Sequence, residues 1–309
     1  SITGWPGGKP NADDTQRPER KSPAKKRSII FSPHPDDDVI SMGGTFIRLV
    51  DQGHDVHVAY QTSGNTAVWD TDVLRYVEFA IDFKKSTGED TEKLEATYEK
   101  MRDFIDKKEP NEIDLDEIRD VKAFIRKSEA IAGARYAGLK DKNIHFMALP
   151  FYETGKKVKN PVTNKDVELT MELLKEVKPH QIFAAGDFAD PHGTHIVCFR
   201  IILEAMKRLR KTESWTKDCW LWMYRGAWQE FEVHEIEMAV PLSPKEVQRK
   251  RDAIFQHQSQ KDRPVFPGDD EREFWVRAEE RNRETAESYD KLGLANYEAM
   301  EAFVKWKFE

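Results

Sequence analysis

The sequence predicts an α/β protein of the Rossmann-like kind, a three-layer sandwich in which helices cover both faces of a mainly parallel sheet. Residues 29–31 form an apolar run typical of a buried strand, and residues 39–50 carry apolar side chains at the spacing of an amphipathic helix. A second apolar run, 55–60, follows that helix and completes a strand–helix–strand unit. The same strand-to-helix corner recurs after the predicted strand 181–185.

The other elements follow from the same periodicities. Further strands are predicted at 143–146, 219–224 and 234–240, and further helices at 93–108, 115–139, 167–177, 196–209, 244–257 and 271–292. Residues 70–120 are highly charged and are interpreted as a solvated helical insertion. In the last segment, 297–308, apolar side chains stand at helical spacing and predict a packing stripe.

Residues 1–26 are polar, rich in Pro, Gly, Lys and Arg, and contain no hydrophobic signal-peptide segment. The sequence also does not begin with methionine. We expect a linker or leader there, either part of a longer protein or a processed terminus, followed by one domain over 27–309.

Composition argues against several classes of protein. Charged residues at 34% and hydrophobic residues at 39% are typical of a soluble globular protein. The net charge of -7, with no Lys/Arg stripe interleaved with aromatics, argues against a nucleic-acid partner. No apolar run approaches the ~20 residues of a membrane helix, and Cys198 and Cys219 are too few for a disulfide framework. We therefore expect a cytoplasmic protein without a membrane span, with Cys198 in its core.

The corner after the first predicted strand crowds together a histidine and three consecutive carboxylates, His34, Asp36, Asp37 and Asp38. The N-terminus of the following helix carries about half an elementary charge, which stabilises one acid but hardly three. A bound divalent cation would resolve the repulsion, and His34 and Asp37 could both point at it across a tight turn. Zinc suits such mixed nitrogen and oxygen ligands. The alternative is an aspartate cap with solvated neighbours and an incidental histidine.

The corner after the predicted strand 181–185 carries His192 and His195 just before an apolar helix. Ligands of open α/β sheets gather outside the carboxyl ends of the strands, so the loops after strands one, two and four converge there. We expect these two histidines to lie near His34 and the acids of the first corner. That juxtaposition favours a metal site over two unrelated helix caps.

With both corners identified, the sequence resembles the LmbE-like (PIG-L-like) N-acetylglucosaminide deacetylases. Residues 33–38 (PHPDDD) match the first motif of that family, and residues 192–195 (HGTH) match the second. A weaker third element, a Lys-led helix that ends in His-x-Ser-Gln, is matched by Lys250, Ala253 and residues 257–260. The similarity covers residues 27–260.

The resemblance implies an LmbE-like fold and a zinc-dependent hydrolase that removes the N-acetyl group from an N-acetylglucosamine-type sugar, with or without a phosphate. By motif position it implies His34, Asp37 and His195 as ligands of one zinc ion per chain. It further implies Asp36 as the general base and His192 as the group that stabilises the oxyanion.

The chain is also similar to the carboxyl-terminal domain of bacterial proteins in which a glucosamine-6-phosphate deaminase-like domain is fused to an LmbE-like domain. Under that resemblance residues 1–26 are the inter-domain linker, and a fused deaminase domain is the expected upstream partner. The oligomeric state stays open, with a homo-oligomer as one expectation.

Two positions depart from the family pattern. Thr194 stands where family members commonly have Asp before the second histidine, and Asp190 or Asp187 is expected to replace it. Asn65 follows Gly64 where family members often have an acid. We expect the substrate contacts to differ more from the family than the metal ligands do.

Four residues are candidates for holding the sugar: Asn65, Arg126, Asp190 and Arg225. The Trp-rich strand near Trp222 is a further candidate. A phosphate on the sugar would need a basic side chain, and Arg126 and Arg225 are the expected ones. Arg126 also stands one helical turn from Glu129, a spacing typical of a surface ion pair of roughly a few tenths of a kcal/mol, but we prefer a role in the site for this pair.

Two other functions fit the same sequence. The chain could be a sugar-binding or regulatory domain of a fused deaminase that has no activity of its own, a reading to which Thr194 lends weight. Retention of Asp36 beside a complete ligand set argues against that reading. A metallohydrolase with another substrate, such as a phosphoester, is the second alternative.

Overall fold

The computed structural model describes residues 24–110, 112–156, 158–190, 193–226, 228–262, 265–266 and 270–308. The strands are β1 (Arg27–Ser32), β2 (Asp55–Tyr60), β3 (Ile144–Phe146), β4 (Gln181–Ala185), β5 (Trp220–Tyr224), β6 (Met238–Leu242) and β7 (Ala299–Trp306). The α-helices are α1 (Asp37–Asp51), α2 (Asp70–Ser86), α3 (Glu92–Lys107), α4 (Asp116–Tyr136), α5 (Asn164–Val177), α6 (Thr194–Leu209), α7 (Pro244–Ile254) and α8 (Phe274–Lys291). Within these ranges, no helix is both long enough and apolar enough to cross a bilayer.

The strands form one sheet in the order β3-β2-β1-β4-β5-β7-β6. β1 pairs in parallel with β2 and β4, and parallel pairing continues outward to β3 and β5. β7 lies antiparallel between β5 and β6. The carboxyl ends of the five parallel strands therefore lie along one edge of the sheet, where ligands of such folds bind.

β7 occupies the segment for which a helical packing stripe was predicted, and that prediction was wrong. Phe303 is paired with Tyr224 of β5 on one side and with Met238 of β6 on the other. Short apolar runs fit the helix period and the strand period about equally well, and here pairing with two neighbouring strands decides between them. β6 begins at Met238, later than the predicted start at 234.

Helices cover both faces of the sheet, which confirms the predicted three-layer architecture. α1, α4, α7 and α8 pack on one face, over a core that includes Ile30 and Phe46. α5 and α6 pack on the other face, over a core that includes Phe31 and Leu174. Adjacent residues of β1 thus enter different cores, as expected for a parallel strand buried on both faces. Cys198 lies in the second core, as predicted.

The helical segment between β2 and β3 has a small apolar core of its own. Val73 and Val77 of α2 meet Met101 of α3 and Ile118 of α4 there. The helices expected in this charged segment are therefore present, and they pack on one another through a narrow apolar seam.

A buried carboxylate on β7 ties that strand to α1. Glu301 accepts hydrogen bonds from the amides of Gly44 at 2.9 Å and Thr45 at 2.6 Å, and its Oε1 lies 2.8 Å from Nζ of Lys250 on α7. α1 is kinked at Met42, where φ is -135°, so nearby amides need an acceptor from outside the helix. Glu301 therefore fixes the middle of α1 relative to the sheet.

Candidate metal centre

The structure brings three predicted ligands together from the two strand-to-helix corners. Oδ2 of Asp37, the first residue of α1, lies 3.2 Å from Nδ1 of His34 and 3.2 Å from Nε2 of His195 in the first turn of α6. One ligand atom from each residue lies within 4.8 Å of the other two. Two imidazole nitrogens and one carboxylate oxygen form a donor set that suits zinc and leaves a coordination position for a water or substrate.

The backbone orients the second histidine of this group. Nδ1 of His195 lies 2.9 Å from the main-chain oxygen of Asp187, so that nitrogen is assigned as the donor and Nε2 is directed toward Asp37. Asp190 or Asp187 was expected to replace the acid that family members have at the position of Thr194. Asp190 accepts a hydrogen bond from the amide of Thr194 at 2.8 Å, which holds the start of α6.

Within this group, Asp37 and His195, both buried, form an ion pair. Burial acts to raise the pKa of Asp37, but the charge and hydrogen bonds of His195 and His34 outweigh it and hold the pKa well below its usual range. Burial acts to lower the pKa of His195, but the carboxylate of Asp37 outweighs it and raises the pKa to about 10. A divalent cation at this position would displace the His195 proton, so metal affinity is expected to fall at low pH.

Asp36 lies beside the group in a strained backbone conformation. Its φ is 127°, a region that non-glycine residues rarely occupy and that recurs at functional sites. Its Oδ2 lies 3.3 Å from a guanidinium nitrogen of Arg126. Burial raises the pKa of Asp36 to about 7 against the opposing charge of Arg126. The side chain makes no cap hydrogen bond although Asp36 precedes α1, so the helix-cap alternative does not account for it.

The third carboxylate of the corner has a separate role. Asp38 is fully buried, and its Oδ1 accepts a hydrogen bond from Oγ of Ser32 at 3.1 Å. Its Oδ2 accepts one from the hydroxyl of Tyr60, also at 3.1 Å. The alternative of solvated acidic neighbours is therefore wrong, since both Asp38 and Asp37 are buried with defined partners.

The Arg126 and Glu129 pair is not at the surface, so the usual role of such a pair, a surface ion pair, does not apply here. Arg126 and Glu129, both on α4, are buried, with 1% and 5% exposure respectively. Arg126 donates to the backbone oxygen of Pro35 as well as contacting Asp36. Glu129 accepts from the amide and hydroxyl of Ser259, at 2.8 and 2.7 Å. The two residues thus fix different loops to one helix.

The third sequence element, residues 257–260, supports the site through hydrogen bonds to α4 and to the loop after β2. Ser259 is bound to Glu129, and Gln260 donates its side-chain amide to the backbone oxygen of Ala67 at 2.6 Å. His257 is buried, and neither of its ring nitrogens has a hydrogen-bond partner among the residues that the structure describes. Burial lowers the pKa of His257 to about 3, so this imidazole is neutral at pH 7.

A cavity of about 360 Å³ opens over the group and extends to the helical segment. Asp70 and Asp114 line it together with Lys108 and Lys122. Lys122 lies 2.7 Å from both carboxylates, and Lys108 lies 3.1 and 2.6 Å from them. The interpretation of residues 70–120 as only solvated therefore needs correction, because part of this segment forms a wall of the cavity.

The predicted substrate residues are placed differently by the structure. Arg126 and Asp190 line the cavity. Asn65 is buried at the start of a 3₁₀ turn and does not line it. The guanidinium of Arg225 donates to the backbone oxygen of Gly186 at 2.9 Å and lies away from the cavity lining, so the structure does not support it as a sugar or phosphate contact.

Two further predicted residues need comment. Trp222 lies in the core with 7% exposure and does not line the cavity, so the structure does not support it as a sugar contact. His192, the predicted oxyanion group, lies outside the described residues.

Sequence reasoning missed the loop between β3 and α5, which supplies Tyr152 and Lys159 to the cavity. The signal was available, because the carboxyl end of β3 lies on the same edge of the sheet as those of β1, β2 and β4. Trp228, on the loop after β5, also lines the cavity and was missed for the same reason.

Comparison with known proteins agrees with the geometry of the site. The chain is 55% identical over 310 residues to the glucosamine-6-phosphate deaminase-like protein of Bacteroides thetaiotaomicron, with a match that covers 99% of this chain and 46% of that protein. The chain thus spans about half the length of this curated relative.

Two solved structures show the same fold at low sequence identity. N,N'-diacetylchitobiose deacetylase from Pyrococcus horikoshii is 20% identical, with a TM-score of 0.56 over 94% of this chain and 86% of that chain. GalB, the 4-carboxy-2-hydroxymuconate hydratase from Pseudomonas putida KT2440, is 14% identical, with a TM-score of 0.55 over 92% of this chain and 97% of that chain.

The family model described as PIG-L, GlcNAc-PI de-N-acetylase, matches residues 29–206, a span that contains all three converging ligands and Asp36. This match extends over more than half of the sequence and begins in β1. The chain therefore belongs to the PIG-L (LmbE-like) family.

Proposed function

We propose that this chain is a zinc-dependent hydrolase that removes the acetyl group from an N-acetylglucosamine-type sugar. The observation that carries the proposal is the placement of Asp36, a buried carboxylate with a pKa of about 7, next to the His34, Asp37 and His195 group at a cavity. Strained backbone conformations such as that of Asp36 cluster at functional sites, which supports the proposal. Family membership and the deacetylase among the structural neighbours agree with the proposal.

His34, Asp37 and His195 would hold the zinc ion, one per chain. When bound, zinc supplies a Lewis acid and lowers the pKa of a coordinated water toward about 7. Iron accepts the same ligands, so the identification of the metal as zinc is itself part of the proposal.

Asp36 would act as the general base and then as the general acid. A catalytic group works best when its pKa lies near the operating pH, and about 7 meets that requirement. Asp36 would take a proton from the attacking water as the amide carbonyl is attacked, and return it to the amine that leaves. Arg126 would hold the carboxylate on the side of the cavity from which the water approaches.

The charge that develops on the amide oxygen also needs a donor. His192 is our prediction for this role, and a donor of this kind is typically worth ~3 kcal/mol of transition-state stabilisation. Asp190 and Thr194, which are close to His192 in the sequence, line the cavity.

The test is acetate release by the zinc-loaded chain from N-acetylglucosamine and related N-acetylhexosamines. Asp36→Asn should bind zinc as the wild type does and lose turnover by about 100-fold or more, as expected for a lost acid–base group. Asp51→Asn is the matched control and should keep wild-type turnover, because Asp51 is exposed at the far end of α1, the helix that Asp36 precedes. Wild-type turnover by Asp36→Asn would refute the assignment of the base.

Two alternatives are separated by the same material. The relationship to GalB indicates that this fold also supports other reactions, and release of a chromogenic alcohol from phosphoesters would favour a metallohydrolase with a different substrate. Sugar binding without acetate release by the zinc-loaded chain would favour a non-catalytic domain. An upstream deaminase domain, a homo-oligomer and a cytoplasmic location stay predictions.

A further inference from the structure

One cation in the cavity has no anionic partner among the described residues. Nζ of Lys159 is buried, and within the described part of the chain no acceptor lies within hydrogen-bonding distance of it. Lysine is rarely buried unless it is paired, because an ammonium group removed from water without a partner is costly. The side chain lines the same cavity as Asp36 and the His34, Asp37 and His195 group.

The position of Lys159 is fixed by the loop between β3 and α5. The amide of the next residue, Asn160, donates to the backbone oxygen of Phe151 at 3.0 Å, which joins the two arms of the loop. This places Nζ of Lys159 3.6 Å from the centre of the Tyr152 ring. The Tyr152 ring in turn lies 5.7 Å from the ring of His34, centre to centre. One aromatic side chain therefore separates the ammonium group from a predicted metal ligand.

The other cations of the cavity are neutralised by carboxylates. Lys108 and Lys122 are each bound to both Asp70 and Asp114, and these two pairs of opposite charges cancel. Arg126 is paired with Asp36. Of the carboxylates near the loop, Glu153 is occupied by the amide and hydroxyl of Ser63. Two more acids of the lining are also engaged, since Asp190 accepts from Thr194 and Glu112 accepts from the amide of Glu109.

Lys159 keeps its charge under ordinary conditions. Burial lowers its pKa to about 8, with Glu153 acting in the opposite direction, so most of the population is protonated at pH 7. An ammonium group in this position is a compact point charge with three donors, which suits phosphate and carboxylate oxygens.

We infer that Lys159 binds an anionic substituent, a phosphate monoester or a carboxylate, on the amino sugar whose acetyl group reaches the His34, Asp37 and His195 group. This inference rests on the proposed function and narrows its substrate class. It also assigns to Lys159 the role that sequence reasoning gave to Arg126 and Arg225. The guanidinium of Arg126 is paired with Asp36, and that of Arg225 donates to the backbone oxygen of Gly186.

The test measures binding of deacetylated sugars, so it does not depend on turnover. Glucosamine, glucosamine 6-phosphate and glucosaminuronic acid, which carries a carboxylate at the same carbon, are titrated calorimetrically into the 309-residue chain. We expect one or both anionic sugars to bind about tenfold or more tightly than glucosamine. Preference for the phosphate or for the carboxylate identifies which anion the site takes.

Three variants distinguish a binding role from a structural one. Lys159→Met, similar in length and without charge, should lose the preference for the anionic sugars, whereas Lys159→Arg should keep most of it. Lys156→Met removes an exposed charge from the same loop and should keep it fully. Circular dichroism confirms that each variant is folded.

Equal affinity of the wild type for charged and neutral sugars, no binding of either anion, or an unchanged preference in Lys159→Met would each overturn the inference. Acetate release by the wild type from N-acetylglucosamine and from its 6-phosphate and 6-carboxylate forms is a separate readout of the proposed function. If release from all three is absent while the anion preference depends on Lys159, the deacetylase proposal fails and the anion site stands.

Discussion

The guanidinium of Arg126 lies 3.3 Å from the carboxylate of Asp36, which joins the middle of α4 to the corner between β1 and α1. Gly64 makes room for this contact. A Cβ at position 64 would lie 3.1 Å from Nε of Arg126 and 3.2 Å from Cδ of Pro35, and the φ of +63° there favours glycine. The loop after β2 thus contributes space where the loop after β1 contributes Asp36, the predicted general base.

Arg126→Met should lower kcat about 10- to 100-fold with zinc content unchanged, because Asp36 loses the group that orients it. Acetate release and zinc content, measured on the same preparation, check this. Arg135→Met is the control, since Arg135 forms an exposed ion pair with Asp141 near the end of the same helix. Loss of zinc in Arg126→Met would mean that the arginine supports the ligand group as a whole.

The neighbouring acids Asp37 and Asp38 should respond in opposite ways. Asp37→Ala removes the carboxylate shared by His34 and His195, and we expect zinc stoichiometry to fall from one per chain to near zero. Asp38→Asn should keep the zinc and lower the free energy of unfolding by about 1–3 kcal/mol, because it disturbs buried hydrogen bonds to Ser32 and Tyr60. Metal analysis and urea unfolding distinguish the two. Equal zinc loss in both variants would contradict the separate roles assigned here.

Glu230 should make stability fall as pH rises. Burial raises its pKa from 4.5 to about 8, so the folded state holds a proton that the unfolded state has released between those values. Its stability cost is absent below about pH 4.5 and complete above about pH 8. Glu230→Gln removes the charge, so its free energy of unfolding should rise relative to that of the wild type by about 4 kcal/mol between pH 5 and pH 9, at about 1.4 kcal/mol per pKa unit. Glu232→Gln, an exposed neighbour, is the control for urea unfolding at both pH values. A constant difference between Glu230→Gln and wild type across this range would show that Glu230 does not titrate as described.

The sequence predicted the parts of the structure whose signals are local. The strand–helix–strand unit from β1 to β2 follows from apolar periodicity, and the ligand cluster follows from His34 and Asp37 within one corner and His195 in another. The parallel-sheet rule then places the two corners at one edge. These inferences need no knowledge of distant pairing.

The errors concern residues whose environment is set by distant parts of the chain. β7 is a strand because β5 and β6 pair with it, and no local pattern encodes those partners. Arg126 has the spacing of a surface ion pair, but packing of α4 against the first corner buries it. Lys159 carries no motif at all, and only the closure of its loop against Phe151 brings it to the cavity.

The contact between Glu301 and the amides of Gly44 and Thr45 has a consequence for folding. Glu301 follows Gly44 by 257 positions and Thr45 by 256 positions in the sequence. The contact therefore forms only after most of the chain has been arranged. Contacts of such long range slow folding because the entropy of loop closure must be met before they form. α1, which begins with Asp37, therefore gains its final geometry late. A partly folded chain would contain β1, α1 and β2 before the middle of α1 was fixed against β7.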